Sequence, residues 1–565
     1  MGQGRPTQAT GGPWRWTALV GAGFQCAVQA RAARLSDLDF WRRNSARLQH
    51  KQLAYLLRRA RKTDFGRAHG FARLTRLEGD EQIRAYRESV PIGDWHTFSD
   101  EIRQMRELGR PDVLWPGLVR DFAQTSGTTA GDKFIPVSKE LMRSNLRASM
   151  DIFAHLHRRG LSLPHLTSGR SVFMGGSSDL VENEHGIRTA DLSGLVTPMI
   201  RWPLSAVYAP GHEIALMDHW PSKIDAMARA CIDMDVRMLS GMPSWAHVLF
   251  ERLIELAHEQ GRDARCVQDL WPNFILFVHG GVRYTPFIER INEVVFGDRD
   301  IDFPHRLELY PASEAFLAIQ DDPHESAMRL LVDNGVLFEF IPLEEIDDAE
   351  PGAFTCEQVE KGQRYVVVLT TCAGLWRYVL GDVVEFDTIP GGLDGRGGDG
   401  PSRLRIVGRH RHFINAFGEN LIVEHIETAV ATAAREAGLT IGEFSAAPVY
   451  PNDDHPAGLE LAIEIGGRHD SAKAQRHEAG GREGSVDALL VRFRDVFDAS
   501  LKAQNVDYTT KRTDGLGMGP PTITVLAMGA FHRWMASRGK LGGQHKCPRC
   551  ANHREIVEGV VTCAG

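Results

Sequence analysis

Cysteine is scarce in this chain of 565 residues, which contains only eight. Five are isolated, and only Cys547, Cys550 and Cys563 lie close together. So few thiols exclude a disulfide-stabilised scaffold and favour a cytoplasmic protein. The Cys-x-x-Cys pair has flanking histidines and could bind Zn²⁺, but a second pair of ligands at the usual separation is missing. A zinc site is therefore the weaker interpretation of this cluster.

Lysine is scarce too, at 11 of the 65 basic residues, and the formal net charge is −8. An excess of acidic residues argues against a protein that holds nucleic acid on a basic face. We therefore expect no nucleic-acid partner. Because lysines are few, a lysine inside a chemically plausible motif is less easily explained by chance.

Long apolar runs are missing as well. The longest uncharged run near the N-terminus lies between Arg15 and Arg31, and its two glutamines make it too polar to span a bilayer. Arg15 and the small residues at 27–30 are similar in outline to a signal peptide. We favour instead a frayed tail and an amphipathic helix that continues through Leu35 and Trp41, and we expect no membrane partner.

Apolar residues make up 43% of the chain, which is enough for two to four domains. Between residues 170 and 380, short β-like runs alternate with helical segments, and this alternation predicts an α/β domain around a mostly central sheet. Glycine fills six of the thirteen positions at 390–402, which indicates a loop or linker. The residues beyond it have the size and pattern of a small α+β domain.

The predicted division is therefore a tail with the start of a leading helix at 1–34, a large N-terminal domain at 35–402 and a small C-terminal domain at 403–565. We expect a turn-rich loop at 117–136 and a helix from Lys139. In the C-terminal domain we expect strands at 403–407, 459–465 and 522–527, helices at 420–436 and 485–503, and a disordered insertion at 467–484.

Residues 125–133 read Thr-Ser-Gly-Thr-Thr-Ala-Gly-Asp-Lys. Glycines and small hydroxylated residues leave backbone N–H groups open to an anion, and the terminal lysine adds positive charge. A triphosphate needs these features, although the spacing is not that of a Walker A loop. A plain Gly/Ser/Thr turn is the alternative.

Two further segments carry possible nucleotide chemistry. In Tyr310-Pro311-Ala312-Ser313-Glu314, the aromatic ring can stack on a purine and the carboxylate can hold Mg²⁺ beside phosphates. The alternative is a strand end with an exposed glutamate. In the second segment Asp382 follows Gly381, where an aspartate can accept hydrogen bonds from both ribose hydroxyls, and a hairpin turn is the alternative.

The phosphate loop precedes the Tyr-x-x-Ser-Glu segment by about 180 residues, and the Gly-Asp pair follows about 70 residues later. This is the layout of adenylate-forming enzymes. With these motifs the sequence resembles the auxin-responsive Gretchen Hagen acyl-acid amido synthetases. That family belongs to the superfamily of acyl-CoA synthetases, peptide-synthetase adenylation domains and firefly luciferase.

Further stretches carry the resemblance from about residue 40 to residue 551. They are Thr-Asp-Phe-Gly-Arg at 63–67 with Gly-Phe at 70–71, Val-Pro-Ile at 90–92, Leu-Thr-Thr at 369–371 and Lys-Cys-Pro-Arg-Cys at 546–550. The family's last motif is Lys-Thr-Pro-Arg-Cys, so Cys547 is a departure. Val379 also stands where plant members have arginine. These departures indicate a divergent member, of bacterial origin, and they affect acid and amine specificity more than the ATP chemistry.

The resemblance implies an adenylate-forming α/β fold with a C-terminal lid, and two half-reactions that use ATP and Mg²⁺. A carboxylic acid becomes an acyl-AMP, and an amine, expected to be an amino acid, then receives the acyl group. The implied phosphate-binding residues are Thr125, Ser126, Gly127, Thr128, Thr129, Gly131 and Lys133. The implied adenine and ribose residues are Tyr310, Ser313 and Asp382, and the implied metal ligand is Glu314.

Two lysines are the implied catalytic residues. Lys133 serves the β- and γ-phosphates, and Lys546 on the lid reaches the charge that develops between the carboxylate and the α-phosphate. His279 and Gly280 are candidates for the acyl pocket, with a strand end and tight turn as the alternative. Arg143 is a candidate for the substrate carboxylate, with an exposed helical arginine as the alternative. A thioester-forming ligase such as an acyl-CoA synthetase, and a non-catalytic nucleotide-binding or scaffold protein of the same fold, remain alternative functions.

Overall fold

The computed structural model describes residues 16–126, 132–175, 180–196, 204–217, 220–281, 284, 287–410, 413–414, 421–449, 457–466, 483–505, 508–509, 512, 518–539, 546–551 and 553–564. By contacts between Cα atoms these residues form two units. The first contains residues 16–380 and 385–405, and the second contains residues 381–384 and the described residues from 406 onwards.

The first unit is built from helices and strands in alternation. Its helices are α1 (Thr17–Ser36), α2 (Leu38–Ala60), α3 (Asp64–Ala68), α4 (Phe71–Leu74), α5 (Gly79–Ser89), α6 (Trp95–Glu107), α7 (Lys139–Arg158), α8 (Leu163–Thr167), α9 (Leu192–Val196), α10 (His212–Ala215), α11 (Trp220–Cys231), α12 (Pro243–Glu259), α13 (Val267–Leu270) and α14 (Ile288–Phe296). Its strands, the last two shared with the second unit, are β1 (Asp121–Ser126), β2 (Asp132–Val137), β3 (Arg170–Phe173), β4 (Val181–Glu182), β5 (Arg188–Ala190), β6 (Tyr208–Ala209), β7 (Val236–Gly241), β8 (Leu276–Gly280), β9 (His305–Pro311), β10 (Phe316–Ile319), β11 (Met328–Leu330), β12 (Val336–Pro342), β13 (Arg364–Thr371), β14 (Tyr378–Thr388) and β15 (Arg403–Arg409).

One large sheet organises this unit. Its eleven described strands lie in the order β12-β13-β14-β15-β11-β10-β9-β8-β7-β3-β6, and a second described sheet has the order β2-β1-β5-β4. The pairs β6–β3, β3–β7, β7–β8 and β8–β9 are parallel. The pairs β9–β10, β10–β11 and β11–β15 are antiparallel. The predicted α/β class with a central sheet is confirmed. Because Arg403 and Leu404 pair with β11, the division by contacts falls three residues after the predicted boundary.

The N-terminal region differs from the expectation of one continuous helix. Residues 17–36 form α1, and the chain then breaks at Asp37, whose carboxylate accepts a hydrogen bond from the Phe40 N–H (2.9 Å) and caps α2. α1 packs closely against α8 because Gly21 has no side chain at the contact. A Cβ there would lie 2.2 Å from Thr167 Oγ1. Among the helices of the described residues, none is long and apolar enough to cross a bilayer.

The expected turn-rich loop at 117–136 is also wrong in part. β1 and β2 pair as an antiparallel hairpin, in which Thr125 lies opposite Lys133. The turn-forming residues led us to extend the loop too far. Phe122 and Ile135 are fully buried, so the arms of the hairpin are fixed by the core. The expected helix from Lys139 is confirmed as α7, and the Ser138 side chain caps it.

The described residues of the second unit form a three-stranded sheet with helices on both faces and a pair of short strands, β16 and β17. Its elements are β16 (Phe413–Ile414), β17 (Leu421–Ile422), α15 (Val423–Ala437), β18 (Thr440–Val449), β19 (Gly458–Gly466), α16 (Glu483–Gln504), β20 (Thr522–Leu526), α17 (Ala530–Ser537) and α18 (Glu555–Ala564). Leu461 of β19 packs with α15 and α16, and its neighbour Ala462 packs with α17 and α18, because successive strand residues face opposite sides. The predicted helices and strands of this region are confirmed, the first strand as β15 of the large sheet, whereas β16, β17, β18, α17 and α18 were not predicted. Residues 467–482 of the predicted insertion lie outside the described residues, and residues 483–484 begin α16.

Candidate active site

Four neighbouring strands end together at one edge of the large sheet. β3, β7, β8 and β9 are parallel, and their register places Gly241 beside His279 and Gly280 beside Leu309. In open α/β sheets, ligands bind outside the carboxyl ends of the parallel strands. This edge is therefore the candidate site of the first unit.

The Tyr-x-x-Ser-Glu segment connects β9 to β10 at the same edge. The Ala312 N–H donates to the Ala315 carbonyl (2.9 Å) and closes the turn. Tyr310, Ser313 and Glu314 are 4%, 9% and 8% exposed, so the alternative of an exposed glutamate at a strand end is wrong. A buried carboxylate needs a cation or hydrogen bonds to offset its lost hydration, and oxygen ligands suit Mg²⁺. Glu314 is therefore a buried carboxylate, and its part in holding a metal ion stays a prediction.

His279 and Gly280 end β8 beside this turn. His279 is 1% exposed, and its ring stacks on Tyr284 with centroids 4.3 Å apart. Neither ring nitrogen has a hydrogen-bond partner among the residues that the structure describes. Burial holds the pKa of His279 well below its usual value, so the imidazole is neutral at pH 7. Gly280 has a structural reason to be glycine, because a Cβ there would lie 2.6 Å from the Leu309 carbonyl oxygen.

The sequence-predicted phosphate loop is described only in part. Thr125 and Ser126 end β1 and Lys133 lies in β2, so the backbone brings these three residues to one end of the hairpin. Gly127, Thr128, Thr129 and Gly131 lie outside the described residues. The hairpin therefore gives a position for Lys133, and the loop itself stays a prediction.

Arg143 lies on α7, with a side chain that is 75% exposed. Its guanidinium is 3.9 Å from Glu140 Oε1, one turn earlier in the helix. These contacts are those of an exposed helical arginine, and they add no support to a role in binding the substrate carboxylate.

The Gly-Asp pair lies within β14, in the segment that belongs to the second unit. Gly381 has φ +92°, a conformation that favours glycine, and its carbonyl accepts hydrogen bonds from the backbone N–H and the ring Nδ1 of His410 (both 3.0 Å). Asp382 is 8% exposed. The left-handed glycine and the two hydrogen bonds from His410 fix the backbone from which the Asp382 side chain projects.

A buried ion network holds the residue that precedes β14. Arg377 has φ +48°, unusual for a residue with a side chain, and is 5% exposed. Its Nε donates to Glu339 (3.1 Å), its Nη1 to the Val90 carbonyl (3.0 Å), and its backbone N–H to Thr370 Oγ1 (3.1 Å). Arg87 Nε donates to the same Glu339 (2.8 Å). We name Arg87, Glu339, Thr370 and Arg377 the β14 brace, because together they hold a strained backbone at the start of the strand that carries Asp382.

An aromatic cluster packs beside this brace. Phe65 stacks parallel to Trp376 with centroids 5.9 Å apart, and Phe71 meets the same indole edge-on at 4.7 Å. Thr63 caps α3 by accepting the Gly66 N–H (3.0 Å), which fixes the turn that carries Phe65. The motif that contains Phe65 and the segment just before β14 are thus a single packing unit of Phe65, Phe71 and Trp376, which we name the Trp376 cluster.

Lys546 belongs to the second unit and is exposed. The two cysteines of its motif are not reactive thiols, because burial raises the pKa of Cys547 to about 12 and raises the pKa of Cys550 further. Among the described residues, no group of three or more His, Cys, Asp or Glu side chains is arranged to hold a metal ion.

Lys223 on α11 is a residue that the sequence reasoning missed. Its fully buried ammonium donates to the Ala215 carbonyl (2.7 Å) and the Gly175 carbonyl (3.1 Å), two residues beyond β3. Burial lowers the pKa of Lys223 to about 8. The scarcity of lysine was the one signal that could have marked it. Lys223 ties α10 to the chain that leaves β3 at the candidate edge.

Sequence models of one family match most of the chain. The GH3 family N-terminal domain matches residues 34–200 and 178–301, the GH3 family central domain matches residues 329–391, and the GH3 family C-terminal domain matches residues 424–555. The matched segments follow the chain from the N-terminal to the C-terminal domain of the family, and they contain His279, Asp382 and Lys546.

Similar proteins match the chain over most of its length. The chain is 22% identical over 617 residues to the probable indole-3-acetic acid-amido synthetase GH3.1 of Arabidopsis thaliana, with 94% of this chain and 93% of that protein covered. It is 20% identical over 412 residues to the jasmonoyl–L-amino acid synthetase JAR4 of Nicotiana attenuata, with 62% and 68% covered. The solved structure of the GH3.15 acyl acid amido synthetase has the same fold, with a TM-score of 0.71, 18% identity, and 94% and 96% of the two chains covered. The predicted adenylate-forming fold is thereby confirmed.

Proposed function

This chain belongs to the GH3 family, and from that membership we propose that it joins a small carboxylic acid to an amino acid with the consumption of ATP. The enzyme is a ligase of the acyl-acid amido synthetase class, which forms an acyl-adenylate and then an amide. The observation that carries the proposal is the ordered match of three domains of one family along the chain.

The chemistry has two steps. A carboxylate oxygen of the acid attacks the α-phosphorus of ATP, and the bond to the departing pyrophosphate breaks. The nitrogen of the amino acid then attacks the acyl carbon, AMP leaves, and the nitrogen loses a proton. Both steps depend on positioning and on neutralising charge rather than on a covalent enzyme intermediate.

The first unit supplies groups that suit the first step. Tyr310 and Ser313 are proposed to contact the adenosine, and the buried carboxylate of Glu314 is proposed to hold Mg²⁺. When bound, Mg²⁺ neutralises phosphate charge. Lys133, at the end of the β1–β2 hairpin, is proposed to bind the β- and γ-phosphates together with the backbone of residues 125–131.

The second unit supplies two more groups. Asp382, beside the left-handed Gly381, is proposed to accept hydrogen bonds from the ribose hydroxyls. Lys546 is proposed to stabilise the charge that develops at the α-phosphate, for which an exposed, flexible ammonium is suited. Neither role depends on the cysteine thiols of the C-terminal motif, which stay protonated.

The acid is proposed to bind beside His279 and Gly280, at the carboxyl end of β8. The His279 imidazole is neutral and stacks on Tyr284, so it adds no charge to this region. An uncharged region suits the apolar body of the acid better than it would suit an additional carboxylate on the substrate. Similar proteins are named for indole-3-acetic acid and for jasmonoyl conjugates, so acids with a ring and a short carboxylate arm are the first choice for testing. We propose a cytoplasmic location, where ATP and free amino acids are available.

The decisive experiment measures pyrophosphate release with a carboxylic-acid library that includes indole-3-acetic acid and jasmonic acid, followed by mass spectrometry of the products. We expect acid-dependent pyrophosphate release and an amide when amino acids are present. An acyl-CoA product with CoA, and no amide, would establish the thioester-forming alternative. Absence of ATP binding by calorimetry in the presence of Mg²⁺ would support the non-catalytic alternative.

A further inference from the structure

The segment that follows Lys546 is fastened to β18 by its backbone. The Ser445 hydroxyl donates to the Pro548 carbonyl (2.8 Å), and the Ala446 N–H donates to the Arg549 carbonyl (2.9 Å). The Ala551 N–H donates in turn to the Ala446 carbonyl (3.0 Å). Residues 548–551 therefore form a short parallel extension at the edge of the sheet in the second unit.

The Arg549 side chain adds a second attachment. Its Nη1 donates to Glu443 of β18 (2.6 Å), its Nε lies 3.9 Å from Glu427 of α15, and its guanidinium carbon lies 4.4 Å above the centre of the Phe444 ring. The side chain is only 16% exposed. A planar guanidinium can serve a carboxylate on either side and an aromatic face at once, whereas a lysine ammonium cannot.

The C-terminal part of the motif is fixed to the sheet, whereas its first residue is exposed. Cys550 is fully buried in the core between the sheet and α15, Arg549 is held as described, and Lys546 is exposed three residues earlier. Anchoring the chain at Arg549 restricts the region that the Lys546 ammonium can reach. A catalytic group displaced by about 1 Å can lose roughly 100-fold in rate.

We propose that Arg549 is a positioning residue for adenylation, acting through the backbone that it shares with Lys546. The inference rests on the proposed function, because Lys546 must itself contribute to acyl-AMP formation. Arg549 has no role in binding the nucleotide, since its guanidinium is already engaged by Glu427, Glu443 and Phe444.

The test compares four single variants of the full chain and the double variant that combines Arg549→Lys with Lys546→Ala. Arg549→Lys keeps the charge and removes the planar fork, and Ser445→Ala removes only the bond to Pro548. Arg554→Lys is the matched control, because Arg554 also bridges parts of the second unit, donating to Glu460 (2.6 Å) and to the Pro448 carbonyl (3.0 Å), but lies beyond the motif. Lys546→Ala gives the reference for complete loss of the ammonium.

The readout is the single-turnover rate of acyl-AMP formation with the acid of the library that the parent adenylates fastest. Arg549→Lys should slow this step by about 10- to 100-fold, and Ser445→Ala should slow it less. For both variants, the KM for ATP and the melting temperature should match those of Arg554→Lys. The Arg554→Lys control should itself form acyl-AMP at the parental rate. In the Lys546→Ala background, Arg549→Lys should change the rate less than about twofold, because the group through which it acts is gone.

The outcomes separate the two proposals. Parental rates for Arg549→Lys and Ser445→Ala, with Lys546→Ala slow, would overturn the positioning role alone. A further large loss when Arg549→Lys is added to Lys546→Ala would also overturn it, since that result indicates a general structural role. A parental rate for Lys546→Ala would overturn the role proposed for Lys546 and this inference with it, but not the proposed function. A parent that adenylates no acid in the library would overturn the proposed function as well.

Discussion

Replacing Glu339 by glutamine tests the β14 brace directly. Glutamine has nearly the same shape, so the change leaves no cavity and removes only the charge. Arg87 and Arg377 would then share a neutral amide, and breaking a buried ion pair costs about 3–5 kcal/mol. Because the Arg87 side chain is 24% exposed and can turn towards water, we expect the lower end of that range, about 3 kcal/mol.

Urea unfolding followed by tryptophan fluorescence measures this loss, since Trp376 and Trp115 are buried close to the brace. With a slope near the upper end of the usual range, about 3 kcal/mol per molar urea, the midpoint of the first unit should fall by about 1 M. Glu350→Gln is the matched control. That residue is exposed on the loop after β12, and its loss should change stability by less than about 0.5 kcal/mol. Equal midpoints for the two variants would refute the argument that the carboxylate charge holds the brace.

Three other substitutions test the site. Asp382→Ala should raise the KM for ATP by about 10- to 100-fold, from the roughly 1.5–3 kcal/mol of a hydrogen bond to a charged group, and an unchanged KM in a folded variant would remove Asp382 from the site. Glu314→Gln should require more Mg²⁺ for half-maximal pyrophosphate release, and a parental Mg²⁺ dependence would contradict the metal role. Gly280→Ala should lower the free energy of unfolding by about 1–3 kcal/mol, because the new Cβ would meet the Leu309 carbonyl. The control Gly23→Ala should not lower it, since there is open space around that Cβ. Equal melting temperatures for the two variants would show that strands β8 and β9 can move apart to admit the methyl group.

Local patterns were sufficient to predict the elements with strong periodicity. The helices α7 and α16 and the strand β19 follow from repeating apolar positions, and the structure adds that Ser138 caps α7. Local patterns failed where tertiary packing decides. The composition of the β1–β2 hairpin is dominated by turn residues, so the sequence predicts loop where packing forms strands. The break at Asp37 depends on one capping carboxylate within an otherwise helical pattern.

The motif residues of the candidate site could be proposed from the sequence, but the residues that support them could not. Tyr310, Glu314 and His279 were identified in sequence, and the topology of the sheet brings them to one edge. The β14 brace could not be predicted, because Arg87 and Arg377 meet across 290 residues and no local signal pairs them. Nor does the sequence show that Arg377 has a positive φ, since arginine is an ordinary choice for a helix or a strand and a rare one for that conformation.

The Trp376 cluster has a consequence for how the protein is made. Phe65 and Phe71 leave the ribosome roughly 300 residues before Trp376, which at 5–20 residues per second is a delay of roughly 15 to 60 s. During that interval the faces of Phe65 and Phe71 that later contact the Trp376 indole lack this native partner. Chaperones bind exposed apolar surface of this kind, and such surface also promotes aggregation. Any fragment that ends before residue 376 keeps this surface uncovered permanently. Expression of the N-terminal part alone should therefore give aggregates, and slower growth at low temperature will help only if the chain is long enough to include Trp376.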